Sequence, residues 1–330
     1  MASMRRREFM TLLGGAAAAL PGIARAQQAG RTPKVGYLWH AGNAEEERPY
    51  FPALLEGFAR LGYVDGRNIA LVHRFPDEKP ERFTSMAAEL VASNPDVLMG
   101  GSISSVYLKK ATSTIPIVFM FVPDPVGLKL VDSLARPGGN VTGLSNFGAD
   151  LVGKRLQFLK ETVPGLARVA LLVNSTQPSA QIYVDVTGAA ARGLGLALQT
   201  FDVRSPAEIE PAFDAMVSAG MQAVMTSSGG LMFQARALIA KLAVARRLPF
   251  VAFSRETFEV GALVSYGADQ IEMCRRSTVF VDKILKGARP GDLPVEQPTK
   301  LEFLVNLRVA KAIGVTIPRN FLAIADEVIE

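Results

Sequence analysis

Serines cluster at the start of one predicted helix, directly after an apolar run that predicts a strand. The run is residues 97–100, and the cluster is GSISS at residues 101–105. Hydroxyl groups, free backbone N–H groups and the positive end of a helix dipole together favour a bound carboxylate. One N-capping serine would account for one hydroxyl, whereas this segment has three. The pattern therefore predicts a carboxylate site made by Ser102, Ser104 and Ser105.

The single tryptophan and one of the two histidines of the chain follow one another at the end of the first predicted strand. They are Trp39 and His40, and ligands of parallel α/β sheets bind beyond the carboxyl ends of the strands. We therefore predict that Trp39 contacts a solute and that His40 is its polar neighbour. A core position for Trp39 is the alternative. His73 lies inside a predicted strand, which favours a structural role.

Further polar and aromatic residues lie near the ends of other predicted strands, and we expect them to complete a binding cleft. Aromatic rings would sandwich an apolar or aromatic solute, while amides, hydroxyls and carboxylates would bind its polar groups. Solvated loop positions are the alternative for the polar residues, and a turn cap is the alternative for the aspartate. These candidates are Phe121, Asp124, Asn146, Asn174, Ser175, Ser227, Ser228, Phe253, Glu256 and Tyr266.

Sequence motifs of the common enzyme and cofactor sites do not occur in the chain. Two histidines and one cysteine cannot supply a His-rich metal site or a cysteine pair for zinc. Residues 143–147 (GLSNF) lack the second glycine of a nucleophile elbow. No Walker A sequence is present, and the glycines at 193 and 195 lie in a predicted helix rather than between a strand and a helix. We predict no catalytic residue, no metal and no cofactor.

Composition and charge limit the classes of protein further. The chain has 330 residues, of which 49% are hydrophobic and 20% charged, which excludes disorder and is typical of two domains or lobes. Residues 1–26 hold four arginines and one glutamate, and the remainder has 32 basic and 30 acidic residues. A remainder so close to neutral argues against nucleic-acid binding. Cys274 has no partner for an intrachain disulfide.

The N-terminal segment predicts export. Arg5–Arg7 precede the apolar run Phe9–Leu20, and Ala24 and Ala26 supply the small residues of a signal peptidase site. The run is shorter than the roughly 20 apolar residues that span a bilayer. We predict a signal peptide over residues 1–26, of the twin-arginine type, with a Sec signal as the alternative. Cleavage near Ala26 would leave a soluble protein in the periplasm.

Apolar runs of strand length then alternate with helical stretches, and this alternation occurs twice. Such a pattern predicts βαβ units and parallel sheets covered by helices on both faces. The turn cluster 137–140 separates the two sets, and Asp269 is predicted to cap the last long helix. We predict an N-terminal lobe (33–142), a C-terminal lobe (143–266) and a segment (267–330) that crosses back and completes both. The predicted strands are Val35–Trp39, Ile69–Phe75, Val97–Gly100, Ile117–Val122, Val169–Val173, Leu198–Val203, Ala223–Thr226, Phe250–Phe253 and Ala262–Tyr266.

Four strings of sequence carry a resemblance to a known family. They are IPIVFMFVPDPVGLKLVDSLARPGGNVTGLSNF (115–147), RLPFVAF (247–253), YGAD (266–269) and VDKILKGARPGDLPVEQPTKLEFLVNLRVAKAIGVTIP (281–318). In this order they closely resemble ABC transporter substrate-binding proteins of the tryptophan/tyrosine type, and the similarity runs over essentially the whole mature chain.

The resemblance implies an α/β fold: a two-lobed periplasmic-binding-protein fold of type I, with a parallel β-sheet flanked by helices in each lobe and three inter-lobe crossovers. We expect the crossovers near residues 140–145, 253–255 and 266–269. In such proteins, hydroxyls at the start of the helix after the third strand, here Ser102–Ser105, hold a carboxylate. The resemblance further implies a small-molecule solute as ligand and an ABC permease in the inner membrane as partner.

A trap of two lobes works by differential affinity, since a ligand that contacts both lobes stabilises the closed form. We expect a monomer that releases its solute unchanged. Two alternatives remain open at this point: a periplasmic ligand-sensing module for a membrane receptor, and an enzyme that uses Asp124, Glu256 or His40 as an acid or base.

Overall fold

Two β-sheets with flanking helices make up the protein in a computed structural model that describes residues 31–330. The predicted signal peptide lies outside the described residues. Within those residues, no helix is both long and apolar enough to cross a membrane.

The first sheet contains five parallel strands in the order β2-β1-β3-β4-β5. Its strands are β1 (Lys34–Leu38), β2 (Ala70–Arg74), β3 (Val97–Gly101), β4 (Ile117–Val122) and β5 (Val141–Ser145). Three helices connect them: α1 (Tyr50–Arg60), α2 (Pro80–Ala92) and α3 (Ile103–Ala111). Nearly every residue of β1, β3 and β4 is buried, as a parallel sheet covered on both faces requires.

The second sheet contains seven strands in the order β12-β11-β10-β9-β8-β6-β7. These strands are β6 (Arg168–Val173), β7 (Ala197–Asp202), β8 (Ala223–Thr226), β9 (Phe250–Ala252), β10 (Val264–Ala268), β11 (Leu301–Asn306) and β12 (Glu327–Ile329). The accompanying helices are α4 (Val152–Thr162), α5 (Ala180–Gly193), α6 (Ile209–Ser218), α7 (Gly230–Gln234), α8 (Arg236–Ala245), α9 (Arg255–Glu259), α10 (Gln270–Leu285), α11 (Leu307–Ile313) and α12 (Arg319–Ile324).

The second sheet departs from the prediction of wholly parallel strands. Strand β11 pairs with β10 in the antiparallel direction. The reason is the path of the chain, which returns to this sheet from the opposite lobe rather than through a βαβ connection. The predicted strands are all confirmed within a few residues at their ends, whereas β5, β11 and β12 were not predicted. Strand β5 directly follows the turn cluster 137–140 and lies within the first expected crossover, 140–145.

Three crossovers connect the sheets. The chain leaves the first sheet after β5, returns after β10 and crosses again between α10 and β11. Helix α10 lies on the first lobe, where the Cys274 thiol donates to the carbonyl of Tyr50 at 3.3 Å. The crossover expected near 253–255 is wrong, because β9, α9 and β10 all belong to the second lobe. The third crossover instead pairs Leu144 with Glu296.

A buried arginine connects two of these crossovers. The guanidinium of Arg155 in α4 donates to the carbonyl of Gly148 at 3.0 Å and to that of Tyr266 at 2.8 Å. Gly148 follows the first crossover, and Tyr266 precedes the second. Burial lowers the pKa of Arg155 to about 10, so this side chain remains a cation at neutral pH. It thereby holds the segment that follows the first crossover against the strand that precedes the second.

Candidate functional site

A cavity of about 50 Å³ lies between the lobes, beyond the carboxyl ends of strands from both sheets. This volume is smaller than the range of about 300–1,000 Å³ that is usual for small-molecule sites. Residues that follow β3 and β4 form one side, residues that follow β8 and β9 form the other, and crossover residues close the bottom. The lining residues are His40, Tyr50, Gly101, Ser102, Ile103, Phe121, Asn146, Ser228, Gly229, Gly230, Phe233, Phe253 and Gln270.

Four aromatic rings line this cavity. Tyr50 begins α1 in the first lobe, and its ring centroid lies 5.0 Å from that of Phe121 at the end of β4. The ring of Phe233 in α7, from the second lobe, lies 5.2 Å from Tyr50 across the cleft. Phe253, directly after β9, completes the set. Spacings of 4.5–7 Å are typical of aromatic pairs, so the cavity provides flat apolar walls from both lobes.

Polar groups reach the cavity at a few defined points. Ser102 precedes α3 and lines the first-lobe side. The hydroxyl of Ser228 is buried on the second-lobe side and makes no hydrogen bond of normal geometry with any described residue. At the bottom, Tyr50 donates its hydroxyl to the Gln270 side chain at 3.2 Å, and Asn146 accepts from the N–H of Gly148 at 3.1 Å. A buried hydroxyl without a partner is a binding position that a ligand can satisfy.

His40 lines the cavity, but both of its ring nitrogens face carboxylates. Nε2 lies 3.2 Å from Glu47, and Nδ1 lies 3.2 Å from Glu78. Burial lowers the pKa of His40, but the two glutamates raise it by more, to about 9. His40 is therefore an imidazolium at neutral pH that turns its N–H groups to the protein and leaves its ring as cavity wall.

A buried carboxyl group lies behind the aromatic wall. Glu256 in α9 does not line the cavity, and neither of its oxygens makes a hydrogen bond of normal geometry with the described part of the chain. Burial raises the pKa of Glu256. Burial also raises the pKa of Tyr50, and the charge of Glu256 adds to that shift. Both groups are therefore held towards their protonated forms close to the cavity.

Six of the fifteen residues that the sequence put forward line the cavity: His40, Ser102, Phe121, Asn146, Ser228 and Phe253. Trp39 is the clearest correction. Its side chain is 2% exposed and packs in the core of the first lobe, where its ring stacks on Tyr37 at 3.8 Å and its Nε1 donates to His73 at 3.1 Å. The strand continues its in-and-out alternation as far as Trp39, which directs this side chain under the sheet.

Two of the three serines at α3 also face away from the cavity. The Ser104 hydroxyl donates to the carbonyl of Trp39, and the Ser105 hydroxyl donates to that of Gly100, both at 2.8 Å. Neither side chain is exposed. These hydroxyls satisfy carbonyls at strand ends, so the predicted three-hydroxyl site reduces to Ser102.

The other predicted residues have local roles or lie behind the cavity wall. Asp124 caps a turn by accepting from Gly127 at 2.8 Å, which was the alternative for this residue. Asn174 accepts from Thr176, and Ser175 donates to Asp202. Tyr266 packs on Phe158 and Phe303, behind the second sheet. Ser227 is buried beside the cavity without lining it. Glu256, as described above, also stays outside.

Sequence reasoning missed Tyr50, Phe233 and Gln270. Tyr50 and Phe233 lie within helices rather than at strand ends, so a rule based on strand ends does not select them. The glycine pair before α7 was the available signal for Phe233, because SSGG at 227–230 resembles a binding loop. Gln270 directly follows Asp269, which was predicted to cap α10 and does so by accepting from the N–H of Glu272 at 2.9 Å.

Among residues 31–330, no group of three or more His, Cys, Asp or Glu side chains is arranged to hold a metal ion. The residues that line the cavity supply aromatic rings, hydroxyls, amides and backbone groups. Such an arrangement binds and orients a small molecule.

Comparisons with known proteins agree with this geometry. The family model described as ABC transporter substrate binding protein matches residues 51–329. A tyrosine-binding protein of Clostridioides difficile (strain R20291) is 25% identical over 272 residues, which are 81% of this chain and 78% of that protein.

Two solved structures are similar over almost the whole described chain. A conserved domain protein from Vibrio cholerae has a TM-score of 0.84 at 28% identity, covering 90% of this chain and 100% of that one. An ABC domain from Streptococcus pneumoniae in complex with L-Trp has a TM-score of 0.83 at 25% identity, covering 91% and 100%.

Proposed function

The chain belongs to the family of ABC transporter substrate-binding proteins, and on that premise we propose that it captures an aromatic amino acid, or a very similar aromatic carboxylate, for an ABC importer. The observation that carries this proposal is the set of four aromatic rings from both lobes around one cavity. Similar proteins are a tyrosine-binding protein and an ABC domain in complex with L-Trp.

The aromatic body of the solute contacts the rings of Tyr50, Phe121, Phe233 and Phe253. Tyr50 and Phe121 belong to the first lobe, and Phe233 and Phe253 belong to the second. A solute in contact with both pairs is bound more tightly by the closed form than by the open one, and this difference drives closure. Each favourable ring pair adds about 0.5–1.5 kcal/mol beyond the burial of apolar surface.

The carboxylate of the solute lies at the start of α3, beside Ser102. The first N–H groups of a helix have no partner within the helix, and α3 begins at the cavity. The free hydroxyl of Ser228 lies on the opposite side and binds a second polar group of the solute. His40 contacts the solute through its ring and donates no hydrogen bond to it, because both ring nitrogens lie against glutamate carboxylates.

Export and transport complete the proposal. Signal peptidase removes residues 1–26, the mature protein works as a monomer in the periplasm, and a permease of the inner membrane receives the solute unchanged. N-terminal sequencing of periplasmic material is expected to begin near Gln27, and a cytoplasmic protein that retains Met1 would contradict export.

Calorimetric titration of the mature chain tests the ligand class. We expect L-tryptophan or L-tyrosine to bind at least about tenfold more tightly than L-leucine, because one or more ring contacts are lost with leucine. Mass spectrometry of the recovered solute is expected to show it unchanged. Equal affinities for aromatic and aliphatic amino acids, or turnover of the solute, would contradict the proposal.

Phe253→Leu is a sharper version of that test, because leucine keeps the apolar character and removes the ring. We expect affinity for L-tryptophan to fall about threefold to tenfold. Phe201→Leu is the matched control, since Phe201 lies in β7 at the far edge of the second sheet. Equal losses in the two variants would place the solute elsewhere.

A further inference from the structure

A loop between β2 and α2 carries a glutamate towards the opposite lobe. Asp77 and Glu78 both have left-handed backbone conformations, with φ of 59° and 55°, which non-glycine residues adopt rarely. The loop is fixed to the chain that follows β1, because Asp77 N–H donates to Ala41 at 3.0 Å and Glu78 N–H donates to His40 at 2.8 Å. The unusual backbone thereby directs the Glu78 side chain across the cleft.

The first lobe holds this carboxylate through His40. Glu47 accepts from the N–H groups of His40 and Ala41 with one oxygen, at 2.9 and 2.7 Å, and its other oxygen faces the imidazole. The opposite ring nitrogen lies 3.2 Å from Glu78. The charge of the imidazolium makes the partial burial of Glu78 between the lobes tolerable, since an unpaired buried carboxylate is costly.

The second lobe receives the same carboxylate. Gln177, in the segment after β6, donates its amide to Glu78 at 3.3 Å. The other contact is with Gly230, the first residue of α7. A β-carbon at position 230 would overlap the Glu78 carboxylate, far inside van der Waals distance. The Glu78 carboxylate therefore occupies space that a side chain at residue 230 would fill, and any such side chain would require the carboxylate to move.

We propose that Glu78 is the residue that locks the two lobes together, with His40 as its support in the first lobe and Gly230 and Gln177 as its receptor in the second. The contacts to Gly230 and Gln177 exist only when the lobes are closed, so they stabilise the closed form selectively. Glu78 is a positioning residue: it does not line the cavity, and it acts on the solute by slowing the opening that releases it.

Small-angle scattering of the mature chain without added solute tests the lock. Gly230→Ala places a methyl group where the carboxylate lies, and we expect a larger radius of gyration than that of the parent. In a Glu78→Ala background, adding Gly230→Ala is expected to leave the radius of gyration unchanged. The reason is that the carboxylate with which the new methyl group would overlap is then absent. Gly193→Ala is the matched control, since its β-carbon would meet nothing.

Two results would overturn the proposal. One is a radius for Gly230→Ala equal to that of the parent. The other is an increase that persists unchanged when Glu78 is alanine, because the effect would then not depend on the carboxylate. Thermal melts of all variants check that each is folded, and Gln177→Ala, which removes the other receptor contact, gives an independent measurement of opening.

Solute release supplies a second readout. With L-tryptophan as the probe, we expect Glu78→Ala to release it about tenfold faster with little change in the association rate, since one charged hydrogen bond is lost from the closed form. The exposed Glu81→Ala in α2 is the control. Failure of L-tryptophan to bind the parent would count against the proposed function only, whereas the scattering results bear on the lock.

Discussion

The two lobes present similar serine-containing segments to the cleft, and the structure uses them in opposite ways. After β3, the hydroxyls of Ser104 and Ser105 are consumed by carbonyls of the protein itself. After β8, the hydroxyls of Ser227 and Ser228 are buried and make no hydrogen bond of normal geometry within residues 31–330. Two of the three hydroxyls of the first segment stabilise the fold, whereas the second segment keeps hydrogen-bonding capacity for another molecule.

The connection between strand and helix explains the difference. Helix α3 begins directly after β3, so that serines in its first turn reach back to the strand-end carbonyls. In the second lobe, Gly229 has a φ of 141° and turns the chain before α7 begins. The serines there stay on the loop, and their hydroxyls do not bond to strand-end carbonyls as those of Ser104 and Ser105 do. Serines at the end of a strand thus specify a binding site only when their hydroxyls do not already donate to backbone carbonyls.

Trp39→Ala gives the largest expected effect and tests whether Trp39 belongs to the core of the first lobe. We expect a loss of about 3–5 kcal/mol in the free energy of unfolding, because a buried indole that stacks on Tyr37 is removed. Urea denaturation measures this loss. Affinity for L-tryptophan, measured where the variant is still folded, should remain close to that of the parent. A strong loss of affinity without destabilisation would instead indicate that the Trp39 side chain lines the cavity.

The two histidines extend the comparison to pH. Two glutamates raise the pKa of His40 to about 9 despite burial, so its contribution to stability is full below about pH 6.5 and is lost as the pH rises through 9. Burial lowers the pKa of His73 to about 4, so its contribution is full above about pH 6.5 and declines as the pH falls. Each shift corresponds to an effect on the order of 3 kcal/mol.

Urea denaturation from pH 5 to 9.5 measures both limbs. We expect a maximum of stability near pH 6.5, a decline on the alkaline side that His40→Gln flattens, and a decline on the acid side that His73→Gln flattens. His73 accepts from Trp39 through Nδ1, which requires the unprotonated form. Stability that rises between pH 7 and 9 would contradict the assignment for His40.

Ser104→Ala is expected to act on stability alone. The substitution leaves the Trp39 carbonyl without its donor, which costs about 1–3 kcal/mol. Affinity for L-tryptophan should be unchanged, since this hydroxyl does not reach the cavity. Thermal or urea unfolding together with calorimetric titration separates the two quantities, and a variant of normal stability with weakened binding would reverse this assignment.

Ser228→Ala has the smallest expected effect and the opposite pattern. We expect affinity for L-tryptophan to fall by about 0.5–1.5 kcal/mol, roughly threefold to tenfold, with unchanged or slightly higher stability. This buried hydroxyl makes no hydrogen bond of normal geometry within residues 31–330, so we expect its removal to cost the fold little. Ser227→Ala is the neighbouring control, because Ser227 does not line the cavity. Normal affinity in Ser228→Ala would contradict the proposed use of this loop.

Cavity-lining residues could be predicted from the sequence where they lie at the carboxyl end of a strand. Phe121, Phe253 and Ser228 directly end or follow strands whose carboxyl ends meet at the cleft, and they line the cavity. Trp39 follows its strand in the same way, yet one step of the strand alternation turns it into the core. Sequence position alone does not decide between the two faces when both are apolar, as they are in a parallel sheet.

Residues in contact across the cleft were beyond sequence reasoning. Glu78 lies in a loop that reads as an ordinary turn, and its partners Gln177 and Gly230 are about 100 and 150 positions away along the chain. Only the packing of one lobe against the other brings these three together.

Local forces let the sequence by itself determine the alternation of strands and helices, the cap of α10 by Asp269 and the division into two sets of βα units. Burial of apolar runs and satisfaction of helix ends act over a few residues, so their signals are written in short segments. The tertiary structure alone decided which hydroxyls are free, which aromatic rings face the cavity, and that His40 serves Glu78 rather than a ligand. Those outcomes depend on distances between distant segments, and the packing of two lobes sets these distances.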